Sequence, residues 1–155
     1  MIRSLPRRRR LAALLALVLT GCAPSASPAR LPAASAPPAW MLGTFQDDYG
    51  SRHTIAADGW TQEAYARYHV VRWNADGAYL IARNDAANPA DGGRWTRIDW
   101  MPLAGMEPYA WAYCITTWNA ATAEEAEAAS LARRETPRTG CGGHPFTRMK
   151  PATSG

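Results

Sequence analysis

Apolar and polar residues alternate along most of the chain between Trp40 and Lys150. That two-residue period belongs to half-buried strands and not to helices, whose apolar positions recur every three or four residues. Trp40 to Gln46 and Arg52 to Ala56 flank a turn at Asp47-Asp48-Tyr49-Gly50. Tyr68 to Asn74 and Ala78 to Asn84 flank Ala75-Asp76-Gly77, where Asp-Gly predicts a type I′ hairpin. Trp95 to Met101 follows Asp85 to Gly93, a loop made almost entirely of turn formers. Tyr109 to Trp118 is the longest strand, after Pro102 and Pro108 break the chain. Six strands on short connections predict a mainly β fold, a six-strand antiparallel meander forming a small barrel or half-barrel.

One segment departs from this period. Thr122-Ala123-Glu124-Glu125 reads as a capping box, and Arg133-Arg134 would complement the far end of the macrodipole. Thr136-Pro137 stops the segment, so one C-terminal α-helix is expected from Thr122 to the arginine pair. Alanine dominates it and Leu131 is its only large apolar residue, which predicts shallow packing.

The first 39 residues are of a different kind. Arg3 and Arg7 to Arg10 precede an apolar run, Leu11 to Leu19, and then Leu19-Thr20-Gly21-Cys22. Nine residues at about 1.5 Å each are too short for a hydrocarbon core of roughly 30 Å, so this is the layout of a secretory signal and not of an anchor helix. The tetrad resembles a bacterial lipobox. The resemblance implies cleavage after Gly21, diacylglycerol on the Cys22 sulfur and a further acyl chain such as palmitate on the new amino terminus. An ordinary cleaved signal with an incidental cysteine is the plainer alternative. Residues 22–39 are small side chains and proline, which bury too little apolar surface to fold, so they read as a tether. The organisation expected is therefore 1–21 signal, 22–39 lipidated tether and 40–150 one β-rich domain. Ala23 stands where many Gram-negative inner-membrane lipoproteins carry aspartate, which favours the periplasmic side of the outer membrane.

Processing changes the charge. The whole chain has seventeen basic and thirteen acidic residues, a net +4. Five arginines precede Cys22, leaving twelve basic against thirteen acidic and a mature net charge of −1. That removes the electrostatic case for nucleic acid or for a polybasic membrane contact. Membrane attachment is left to the lipid, and several acyl chains hold stably where one does not. With Cys22 lipidated, Cys114 and Cys141 remain as a pair in an oxidising compartment, where a structural disulfide is expected. Two free thiols or a redox pair are the alternatives, the latter without a Cys-x-x-Cys spacing behind it.

Seven Trp, six Tyr and two Phe all fall between Trp40 and Phe146, enough to fill a small core or to line a pocket. A sharper pattern lies on the hairpin. With Asp76-Gly77 as the turn, Trp73 faces Leu80 and Val71 faces Ala82. The other face then carries Tyr79, Arg72 and Arg83, joined by Trp95 and Arg97 from the next strand. Guanidinium groups among aromatics suit the carboxylate or phosphate head of an amphipathic ligand. A wet outer face laced with Arg–Tyr pairs and an Arg97–Asp99 pair is the competing reading. His53, His69 and His144 have no metal-ligand spacing, and the Asp85 to Asp91 loop lacks the pattern of a calcium loop. No nucleophile elbow, zinc-protease or phosphate-loop motif occurs, so no metal, cofactor or catalytic residue is assigned.

Gly43-Thr44-Phe45, the Gly50-Ser51 turn and Thr54-Ile55 resemble the opening hairpin of avidin-type barrels, and Gly-x-aromatic is also similar to lipocalins. The match covers about 13 residues. It implies an antiparallel barrel, with Asp47 and Ser51 at positions that contact biotin in avidins, where Asp47 replaces an asparagine. The expected function is a lipid-anchored envelope protein, not an enzyme, binding a small apolar or amphipathic molecule. The alternative is a structural or partner-binding lipoprotein whose aromatics fill the core.

Overall fold

The computed structural model describes residues 34–129 and 131–153. The signal, Cys22 and the tether up to residue 33 lie outside the described residues. Eight antiparallel strands follow one another around a closed barrel: β1 (Gly43–Asp47), β2 (Arg52–Ile55), β3 (Gly59–Gln62), β4 (Ala66–Asn74), β5 (Tyr79–Asn84), β6 (Trp95–Pro102), β7 (Trp111–Ala120) and β8 (Thr147–Pro151). Closure is made by β1 against β8, with Gln46 opposite Lys150 and Asp47 opposite Met149. Asp48 clamps that seam by accepting from the Arg148 backbone N–H at 3.3 Å and from its Nε at 2.8 Å.

The count of eight corrects the six strands read from the sequence, and closure excludes the half-barrel. Both missed strands are short and nearly featureless as patterns. β3 carries one large apolar residue, Trp60, and β8 carries one, Met149, between Pro145 and Pro151. Each is held by its neighbours' ladders and by a single inward knob, so the alternation that marks a strand has too few positions to register.

Inward side chains meet in one core. Trp60, Trp111, Leu80, Ile98 and Met149 are almost wholly buried, with Phe45, Trp73, Trp100 and Tyr113 packed against them. Edge-to-face contacts link the aromatics: Phe45 to Trp111 at 5.3 Å, Trp60 to Tyr113 at 5.0 Å and Trp60 to Trp111 at 5.8 Å between centroids. Ahead of β1, a 3₁₀ turn (Ala39–Met41) buries Met41 in the same core, and Trp40 leans on Trp111. Further back, Ser35 pairs with Trp73, and its hydroxyl accepts from the Ala75 N–H at 2.7 Å. The end of the expected tether is thus bound to the β4–β5 end of the barrel.

The β4–β5 hairpin differs from expectation in two ways. Trp73 opposes Leu80 as predicted, but the register shifts at Val71, so Ala82 faces Val70 and not Val71. This bulge places both Val70 and Trp73 against the core and leaves Val71 outside. Asp76 and Gly77 do centre the turn, yet the positive φ of 52° falls on Ala78, so the turn is not type I′. Gly77 is needed for space: a Cβ there would lie 2.6 Å from the Tyr79 ring.

The helix α1 (Ala123–Glu127) is one turn long and does not reach Arg133-Arg134. Thr122 Oγ1 accepts from the Glu125 N–H, and Glu125 reaches back to the N–H of Ala121 rather than that of Thr122. Past α1 the chain turns away because Ala132 packs beside Cys114 and Phe146, and because Arg134 is drawn into the sheet. Its guanidinium donates to the carbonyls of Trp100, Gly77 and Ala78 and to Asp99. Cys114 and Cys141 form the expected disulfide, tying this segment to β7. Opening it by Cys114→Ser with Cys141→Ser should lower stability by about 3 kcal/mol, read as a drop in the urea midpoint.

Candidate functional site

The five residues proposed as ligand contacts sit on the outer wall of the barrel. Tyr79, Arg72, Arg97 and Trp95 lie together under α1, whereas Arg83 is exposed and donates to the carbonyl of Gly93. The bulge at Val71 brings Tyr68 and Val70 inward, while closure of the barrel leaves this arginine face on the convex outside. The guanidinium of Arg97 forks onto Asp99 at 2.9 and 3.0 Å, donates to the Glu127 carbonyl at 2.7 Å and lies 3.9 Å over the Tyr79 ring. Arg72 pairs with Glu127, which also accepts from the Tyr79 hydroxyl. Asp99 is fully buried, with Arg97, Arg134 and Thr116 all donating to it. The protein's own carboxylates thus occupy the donors that an external acid would need. This network fastens α1 and the chain beyond it to the sheet.

Inside the barrel, a buried chain of polar groups runs Asp47–His53–Trp60. Trp60 Nε1 donates to His53 Nδ1 at 3.0 Å, so His53 carries its proton on Nε2 and donates to Asp47 at 3.0 Å. The other oxygen of Asp47 accepts from the N–H groups of Tyr49 and Ser51, shaping the β1–β2 turn. The two avidin-like positions, Asp47 and Ser51, thereby bond to each other through the turn backbone.

The open end of the barrel lies where the β1–β2, β3–β4, β5–β6 and β7–β8 connections meet. A cleft of about 1030 Å³ occupies it, at the upper end of the range usual for small-molecule sites. Its floor is formed by Tyr68 of β4 and Tyr113 of β7, both buried among the core aromatics. Burial pushes the Tyr68 phenol above its usual range, helped by the Asp91 carboxylate; burial pushes Tyr113 up further, with Asp47 adding to it. Both are neutral donors at physiological pH. Around the rim, Tyr49, Tyr65 and Trp118 stand 77%, 62% and 54% exposed on three separate elements. The remaining wall is the stretch from Leu131 to Pro145, with Cys114 and Cys141 themselves in the lining.

Local bonds hold the rim in place. Asn88 accepts from the Arg67 N–H and donates to its carbonyl, both at 2.9 Å, which pins the β5–β6 loop to β4. Asp85 accepts from the Ala87 N–H at 2.8 Å and lies 2.8 Å from His69 Nε2, so the loop is built by turn chemistry as expected. The Ala87 N–H first, then His69, holds the Asp85 carboxyl below its usual range. A carboxyl depressed on folding contributes stability above its unfolded pKa, and that contribution fades as pH falls through the folded value. Acidification from pH 5 to below pH 3 should therefore lower the thermal midpoint less in Asp85→Ala than in the native chain.

Rim residues Tyr49, Tyr65, Trp118 and Arg133 were not singled out as site residues by sequence reasoning, and Asp91 was weighed only within a calcium-like loop. For Tyr49 and Tyr65 the available signal was an aromatic residue placed in a turn, where a core filler has no core to fill. Among the described residues, no three His, Cys, Asp or Glu side chains stand close enough to hold a metal ion. Comparison with protein-family models, curated proteins and solved structures gives no match to this chain.

Proposed function

We propose that the protein is a lipid-anchored envelope protein, attached through an acylated Cys22, whose barrel binds a small amphipathic molecule at its open end without transforming it. One observation carries the reading: a cleft of about 1030 Å³ combines buried hydroxyl donors on its floor with exposed aromatic faces on its rim. Such a mixture of apolar walls and a few convergent polar groups is what small-molecule sites use. The anchor is supported by the lipobox resemblance, and the disulfide suits an exported compartment. Ala23 supports the outer membrane, periplasmic side.

Native mass spectrometry of gently extracted protein tests the binding part. A retained adduct that is lost in Tyr65→Ala supports it; bare protein, with no thermal shift from a panel of amphipathic compounds, overturns it. The anchor is tested separately by intact mass, which should begin at a diacylated Cys22; retention of residues 1–21 overturns it.

A second reading, a structural or partner-binding lipoprotein, is favoured by the aromatic core, where Trp60, Trp73, Trp100 and Trp111 are all buried in one cluster. A specific envelope protein captured by the native chain but not by rim variants, together with an empty cleft, favours this reading over the first.

A further inference from the structure

The cleft's own chemistry narrows what it takes, on the reading that the open end is a ligand site. An acyl chain needs a channel, whereas below the floor lies packed core: Tyr113 rests on Trp60, and Tyr68 belongs to the same buried cluster. A ligand must therefore be short and broad, lying across the rim. Asn84 and Asn88, the two amides in the lining, are already engaged with backbone carbonyls and with Thr96 or Arg67. What remains among the described residues is a set of hydroxyls, the His144 imidazole, the Asp91 carboxylate and the Arg133 guanidinium, the last three making no side-chain bond there. The two permanently ionised groups, one carboxylate and one guanidinium, balance, so they give the site no fixed net charge to select an anion or a cation.

Tyr65 and Trp118 present flat, electron-rich faces, which attract the weakly positive C–H face of a saturated ring. Asp91 accepts from hydroxyl groups, and neutral phenols both donate to them and accept from them. Faces on the rim and hydrogen-bonding groups at the floor match one shape of molecule, apolar on its flats and hydroxylated around its edge. We propose that the cleft binds an uncharged saccharide, with a pyranose ring laid on the rim aromatics and its hydroxyls turned to Asp91 and Tyr68.

The test is calorimetric titration of the full, disulfide-bonded chain with maltotriose and with chitotriose, and separately with sodium oleate below its micelle concentration. Saturable one-site binding of a neutral trisaccharide is expected, weakened about tenfold in Tyr65→Ala and in Trp118→Ala. Both residues are exposed, so circular dichroism and the thermal midpoint should match the native chain. Asp91→Asn, which keeps an acceptor, should bind more tightly than Asp91→Ala. Oleate binding with both saccharides inert overturns the saccharide assignment and leaves the open end as a ligand site. Silence from every probe, with no adduct in the native mass spectrum, overturns both. Saccharide binding that is unchanged in the rim variants also overturns the assignment, since the sugar then sits elsewhere.

Discussion

Asp99→Ala should lower the unfolding free energy by about 3–5 kcal/mol, with a urea midpoint to match. Asp99 is fully buried, with Arg97, Arg134 and Thr116 converging on its two oxygens. Removing the carboxylate leaves the Arg97 guanidinium, 3% exposed, facing a void with only the Glu127 carbonyl and the Tyr79 ring as partners. An uncompensated buried cation is far more harmful than the pair was helpful. The double replacement Arg97→Met with Asp99→Leu, which removes both charges, should recover most of the loss. A single-variant loss below about 1 kcal/mol would show that water enters under α1 and screens the pair.

Trp60→Ala is the second large effect, again about 3–5 kcal/mol, here from lost packing. The indole touches Trp111, Tyr113 and His53, and its removal takes a stave out of the aromatic stack. Trp60→Phe separates packing from hydrogen bonding. It keeps most of the volume but leaves His53 Nδ1 without its donor, which should cost about 1–3 kcal/mol. If Phe and Ala prove equally damaging, the indole N–H and not the ring volume sets the stability of this corner.

Much of this architecture can be seen in the chain before folding. Strand alternation around Asp76-Gly77 located a hairpin, and setting Cys22 aside as the expected lipid site left Cys114 and Cys141 as partners. The limit appears wherever an element owes its existence to its neighbours. β3 and β8 each hold one inward knob, and a four- or five-residue strand of that kind is specified by ladders on both sides. Helix α1 stops at Glu127 because Ala132 and Arg134 have partners across the molecule, which no capping rule contains.

One feature of the β4–β5 hairpin was hidden for a local reason. One extra residue at Val71 shifts the phase of β4 by a single position, and a one-residue slip exchanges the two faces of a strand. Val70 rather than Val71 then looks inward, and Tyr68 joins the floor of the opening. The arginines and aromatics of β5 and β6 were correctly placed on one face, but that face is convex. Four of the five residues do meet: Arg72, Tyr79 and Arg97 engage the protein's own Glu127 and Asp99, and Trp95 packs beside them.

Because Cys114 and Cys141 stand in the lining itself, one side of the opening is fixed by a covalent strap while the turns opposite rest on weaker bonds. A recess shaped before its guest arrives loses less conformational freedom on binding, so affinity is gained without any added contact. The same strap makes that shape conditional on surroundings that keep sulfur oxidised. In a reducing cytosol the chain would still have its staves, but the recess would be missing a fixed wall.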